Sequence, residues 1–193
     1  NKIDAKAQLV RTGAMYHDIG KMVNPACFTE NQFGDNILDN MPRIEAAQVV
    51  ISHVTEGLKL ADKYNLPGVI KDFINTHHGT GKAKYFYVSY KNENPDKPVD
   101  DSLFTYPGTD PFTREQAILM MADTVEAASR SLKEYTEETI SKLVNHLIDQ
   151  QVEEGFFRYC PITFHDIAVA KQVLTERLMS IYHTRTVYPE LKK

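Results

Sequence analysis

Pro42-Arg43-Ile44-Glu45-Ala46-Ala47-Gln48-Val49-Val50-Ile51-Ser52-His53-Val54-Thr55-Glu56-Gly57-Leu58-Lys59-Leu60-Ala61 reads as one long amphipathic helix. Ile44, Ala47, Ile51, Val54, Leu58 and Ala61 recur at steps of three and four, the spacing that places side chains on one helical face, and Pro42 suits a helix start. Asn65-Leu66-Pro67 ends it. Pro67 then opens a second helix through Val69, Ile70, Phe73 and Ile74, which runs out at Gly79 just after His77 and His78. Downstream, Thr113 and Gln116 form a capping-box pattern ahead of Ala117-Ile118-Leu119-Met120-Met121-Ala122, predicting a helix from about Arg114 to Leu132 that is apolar nearly all round. Helical spacing returns over 136–153 and 163–184, whereas no alternating strand series appears. The expectation is an all-α chain. Between Gly79 and Phe112, the cluster Tyr85-Phe86-Tyr87, Tyr90 and the turns Asn94-Pro95 and Tyr106-Pro107-Gly108 read mostly as a long loop or lid.

Composition bounds the function. The chain has 193 residues, 42% hydrophobic and 25% charged, enough for one domain over 1–193 with its own core. Lys and Arg number 22 against 26 Asp and Glu, net −4, so no basic field draws it to DNA, RNA or anionic lipid. Cys27 and Cys160 are far apart and lack a CxxC partner, which points to a reducing, cytoplasmic compartment rather than a disulfide framework. No uninterrupted apolar run of about 18 residues, the length that could span a membrane, appears. The start at Asn1-Lys2-Ile3-Asp4 resembles neither a signal peptide nor an initiator terminus, so a fragment of a longer protein is expected.

Chemistry shows up where polar residues fall in apolar surroundings. Asp123 sits among Leu119, Met120 and Ala127, where an unpaired carboxylate would cost several kcal/mol and so needs a cation or strong donors. His17-Asp18 ends a run containing Leu9, Val10, Gly13, Ala14 and Met15; His53 flanks the apolar face of the Pro42 helix. Each has a plain explanation. A lone His is more often a hydrogen-bonded core residue, Asp123 could pair with Arg130, and His77-His78 could complement a helix dipole. One imidazole and carboxylate metal site accounts for all of them together. His165-Asp166, by contrast, follows Thr163 and reads as a helix cap, and His146 lies on a solvated face.

His17-Asp18-Ile19-Gly20-Lys21, His53, His77-His78-Gly79-Thr80 and Ala122-Asp123-Thr124-Val125-Glu126-Ala127, in that order, resemble the HD-domain metal phosphohydrolases. Phe28-Thr29-Glu30-Asn31-Gln32, Phe104-Thr105-Tyr106-Pro107-Gly108, Glu126-Ala127-Ala128-Ser129-Arg130-Ser131 and Tyr182-His183-Thr184-Arg185 narrow the resemblance to the PgpH-like bacterial phosphodiesterases. Those are seven-transmembrane proteins whose cytosolic HD domain linearises cyclic di-AMP. The resemblance implies a helical bundle around two divalent transition-metal ions, iron or manganese, whose bridging hydroxide attacks the phosphodiester to give linear pApA. It assigns Asp18 as the bridging ligand, His53, His77 and His78 to one ion, and His17 and Asp123 to the other. It also implies a cytoplasmic domain tethered to a bacterial membrane. The family pattern has a further ligand His upstream of the HD pair, and residues 1–16 contain none. Lys21, three residues past Asp18, is placed to reach a phosphate as a catalytic group, with Tyr106 and Arg130 as further substrate contacts. The alternatives are a non-catalytic nucleotide sensor and an HD hydrolase for another nucleotide.

Overall fold

In the computed structural model, residues 3–28, 31, 32 and 36–183 are described. The helices are α1 (Ala7–Tyr16), α2 (Arg43–Lys63), α3 (Gly68–Thr76), α4 (Lys84–Glu93), α5 (Arg114–Ser129), α6 (Glu137–Glu153) and α7 (Phe164–His183), with short 3-10 turns between α1 and α2 and between α4 and α5. No strand occurs among the described residues, and an isolated bridge pairs Lys82 with Thr105. The all-α expectation holds.

Local chemistry sets the helix limits. Pro42 and Pro67, with extended ψ and no N–H to leave unpaired, stand immediately before α2 and α3. The N–H of Gln116 donates to Thr113 Oγ1 at 3.3 Å and that of Thr113 to Gln116 Oε1 at 3.1 Å, closing the anticipated capping box of α5. Thr163 and Asp166 make the same reciprocal pair before α7, at 3.1 and 2.9 Å, which settles His165-Asp166 as a cap.

The stretch between Gly79 and Phe112 is more ordered than its sequence suggests. Lys84–Glu93 is helical and Asp101–Phe104 forms a 3-10 turn. Ring packing explains it: Tyr87 and Tyr90 each lie 5.6 Å from the fully buried Phe104, so they serve the core and are not free to stack on a base. Tyr85 stays exposed.

Two apolar clusters result. One joins Ala46, Ala47, Ile51 and Val54 of α2 to Phe86, Phe104 and Tyr106, and the other joins Met120, Met121 and Val125 of α5 to α6 and α7. Helices α1, α3 and α5 pack against one another, and α2 lies on α3 and on the turn after α1. The four segments that carry His and Asp therefore meet. Thr29, Glu30, Thr184 and Arg185 of the quoted motifs lie outside the described residues.

Candidate metal centre

The centre begins where α1 stops. His17 caps α1, Asp18 turns the chain, and the 3-10 turn Ile19–Val23 lays Gly20 directly on the backbone of α2. A Cβ at Gly20 would stand 1.8 Å from the His53 carbonyl oxygen and 2.5 Å from the Gly57 nitrogen. Only glycine permits that approach, and the approach is what sets Asp18 beside His53. At the end of α3, His77 caps the helix, and Gly79 takes a left-handed φ of +53° that turns the chain away after His78.

The two carboxylate oxygens of Asp18 face different neighbours. Oδ1 lies 3.4 Å from His53 Nε2 and 3.7 Å from His77 Nε2, while Oδ2 lies 3.2 Å from His17 Nε2 and 2.7 Å from Lys21 Nζ. Asp123 Oδ1 approaches His17 Nε2 from the other side at 3.4 Å. Two groups of three ligands follow, His53, His77 and His78 in one and His17, Asp18 and Asp123 in the other, with ligand atoms within 4.8 Å of each other in each group.

Three rings have fixed tautomers. Nδ1 of His17, His53 and His77 donates to the carbonyl three residues upstream, at Ala14, Val50 and Ile74 respectively. A carbonyl can only accept, so each neutral ring presents Nε2 as a lone pair, the orientation seen in metal-ligating histidines. His53 Nε2 and His77 Nε2 then stand 2.9 Å apart, two lone pairs face to face. A shared proton or a metal ion would relieve this contact. Burial works against the proton: it lowers His53, and together with the His53 and His17 charges it lowers His77 to about 4. Burial and His77 also hold His78 well below its ordinary value. The first group is thus a set of neutral donors.

In the second group the balance is reversed. Burial disfavours charge on His17, but Asp123 and Asp18 outweigh it and push the ring up to about 10. Burial of Asp18 is likewise outweighed by His17, Lys21 and His77, which hold its carboxyl well below the usual range. His17 Nε2 makes no aligned hydrogen bond despite its two close carboxylates. The three groups point at a common space, and a cation there would take over the role of the His17 proton. The donor set fits divalent metal.

A cavity of about 1070 Å³ opens onto the cluster and is lined by His17, Asp18, Lys21, His53, His78 and Asp123. Tyr106 and Arg130 also line it, but not as free groups. Arg130 is bidentate with Glu126 at 2.8 and 3.0 Å, which removes the Asp123–Arg130 pairing as an explanation of Asp123. Tyr106 is buried and stacked on His78. A smaller cavity of about 460 Å³ shares His78, Tyr106 and Asp123. His146 and His165 are exposed and away from the cluster.

Two further residues shape the site. Gln151 on α6 donates to Thr124 Oγ1 at 2.9 Å, next to Asp123, and its place three residues after Ile148 on the buried face is the signal that could have found it. Asp110 binds Thr80 beyond the His pair, a contact across 30 residues that no local pattern announces.

Residues 1–128 match the HD domain family, and the chain belongs to it. Membership of the HD family implies divalent-metal binding, and the structure shows a His and Asp cluster able to hold such ions. In sequence the chain is similar to the cyclic-di-AMP phosphodiesterase PgpH of Bacillus subtilis, 37% identical over 192 residues, covering 99% of this chain and 27% of that protein. PgpH of Listeria monocytogenes is 38% identical over 193 residues, covering 100% and 27%. The crystal structure of the L. monocytogenes phosphodiesterase PgpH HD domain in complex with cyclic di-AMP superposes with a TM-score of 0.89 at 37% identity, covering 94% of this chain and 84% of that one. The chain thus spans 27% of the length of these curated relatives.

Proposed function

We propose that residues 1–193 form one catalytic HD domain that opens cyclic di-AMP to linear pApA. The observation that carries this reading is that Asp18 lies between the two clusters, its Oδ1 3.4 Å from His53 Nε2 and its Oδ2 3.2 Å from His17 Nε2. Divalent ions held there would supply Lewis-acid charge for a phosphodiester oxygen and a water of lowered pKa, and imidazole with carboxylate suits iron or manganese. His53, His77 and His78 would hold one ion and His17 and Asp123 the other, with Asp18 placed to serve both. Lys21 sits 2.7 Å from Asp18 at the cavity wall, where its ammonium meets phosphate charge that redistributes during cleavage. Tyr106 and Arg130 line the same cavity, which makes them candidate walls for the nucleotide. A volume of about 1070 Å³ is at the upper end of ordinary ligand pockets and suits a whole cyclic dinucleotide. Among the described residues no helix is long and apolar enough to cross a membrane. The length of the relatives and the PgpH-like motifs support a cytoplasmic domain tethered to a membrane by another part of the protein.

Incubating the protein with cyclic di-AMP and manganese, followed by chromatography, should yield pApA, and chelation of the metal should stop it. Recovery of intact cyclic di-AMP at saturating metal would leave a nucleotide sensor instead. Faster hydrolysis of cyclic di-GMP or a deoxynucleotide would move the substrate elsewhere in the superfamily.

A further inference from the structure

His17, His53 and His77 are each oriented by a carbonyl three residues upstream. His78 follows the end of α3, and among the described residues no such bond is seen for its ring. Three rings meet it: His77 tilted at 4.1 Å, His53 edge-on at 5.2 Å, and Tyr106, which alone of the three is stacked, with centroids 4.2 Å apart and planes inclined by 23°. We propose that Tyr106 is the positioning residue of His78, taking the place of the missing carbonyl lock.

The segment bearing Tyr106 is built to hold that ring still. The Tyr106 N–H donates to the Gly81 carbonyl at 2.8 Å, just past the His pair. The Thr109 N–H donates to the Asn75 carbonyl at 3.3 Å, and Asn75 Nδ2 donates to Thr109 Oγ1 at 2.9 Å. Asp110 Oδ1 accepts from both the N–H and the hydroxyl of Thr80, at 3.0 and 2.9 Å. Residues 105–110 therefore form a strap fastened to α3 on one side of His77-His78 and to the following turn on the other. Tyr106 itself is buried against the α2 and α4 cluster, so its ring cannot rotate away. A stacked aromatic face fixes the imidazole plane without using a ring nitrogen.

This inference rests on the metal-centre reading, and cobalt titration separates the two. Calorimetry and the visible cobalt spectrum would be followed in the wild-type protein and in Tyr106→Phe, Tyr106→Leu, Asp110→Asn and Asp110→Ala. The wild type should bind two ions. Groups that orient a metal ligand are typically worth roughly 10–100-fold in metal affinity, so Tyr106→Leu should weaken one ion by about that factor and alter its spectrum, while the other ion is unchanged. Tyr106→Phe should restore both, because the ring face is kept. Asp110→Ala, which frees the strap without opening the core, should weaken the same ion, and Asp110→Asn should retain it because the amide oxygen still accepts. Were Tyr106→Leu not to fold, the Asp110 pair would decide alone. Two ions of wild-type affinity in Tyr106→Leu or Asp110→Ala would overturn the proposal, as would a Tyr106→Phe variant as weak as Tyr106→Leu. A wild type that binds no cobalt would overturn the metal centre itself.

Discussion

Asp18→Ala should empty both halves of the centre and abolish turnover. Asp18 Oδ1 faces His53 and His77 while Oδ2 faces His17, so one carboxylate reaches ligands of both groups. Groups that merely orient a ligand change metal affinity by roughly 10–100-fold, and losing a shared ligand should exceed that at each site. With the centre dismantled, turnover should fall by about three orders of magnitude or more, at least the effect of deleting a single electrostatic contact to a transition state. Elemental analysis after desalting, with turnover measured on the same sample, checks both. Asp123→Ala should act on one half alone, since its carboxylate approaches His17 and not the three-histidine group. Full metal retention in Asp18→Ala would refute the shared-ligand assignment; equal loss from both halves in Asp123→Ala would refute the division of ligands.

Gly20→Ala should unfold the site without touching a ligand. The new methyl would sit 1.8 Å from one backbone atom of α2 and 2.5 Å from another, and neither can step aside within a hydrogen-bonded helix. The turn Ile19–Val23 would have to lift off α2, taking Asp18 away from His53. A loss of roughly 3–5 kcal/mol is expected, a fall in Tm of about 10 °C or more for a chain of this size, and metal content falls with it. Gly68→Ala is the control, with no atom within 4 Å of the added carbon. A thermal melt of Gly20→Ala that matches Gly68→Ala would show that the close approach does not hold the site.

What the sequence disclosed tracks how local the physics is. The α5 capping box, the Pro42 and Pro67 starts and the apolar stripe of α2 depend on residues a turn or less apart, and all are realised. Convergence of His17, Asp18, His53, His77, His78 and Asp123 is non-local, yet it was legible because each group lies in apolar surroundings that leave few other partners. Helix α4 lies in the segment that reads mostly as loop, and there is a physical reason for its weak signal. It lacks a side-chain cap, and its aromatic residues are drawn into helical register by Phe104, which arrives from a later turn. Asp110 and the stacking of Tyr106 on His78 depend on a strap about 30 residues downstream in the chain, which periodicity cannot reveal.

On the proposed reading, six side chains from four segments hold two metal ions with Asp18 between them. Crystals grown with manganese and measured for anomalous scattering test it most directly. Two peaks are predicted, about 3.5–4 Å apart, one against His53, His77 and His78, the other against His17 and Asp123, with Asp18 touching both. A single peak, or two peaks that leave Asp18 bound to only one of them, would rule out Asp18 as the shared ligand of a two-metal centre.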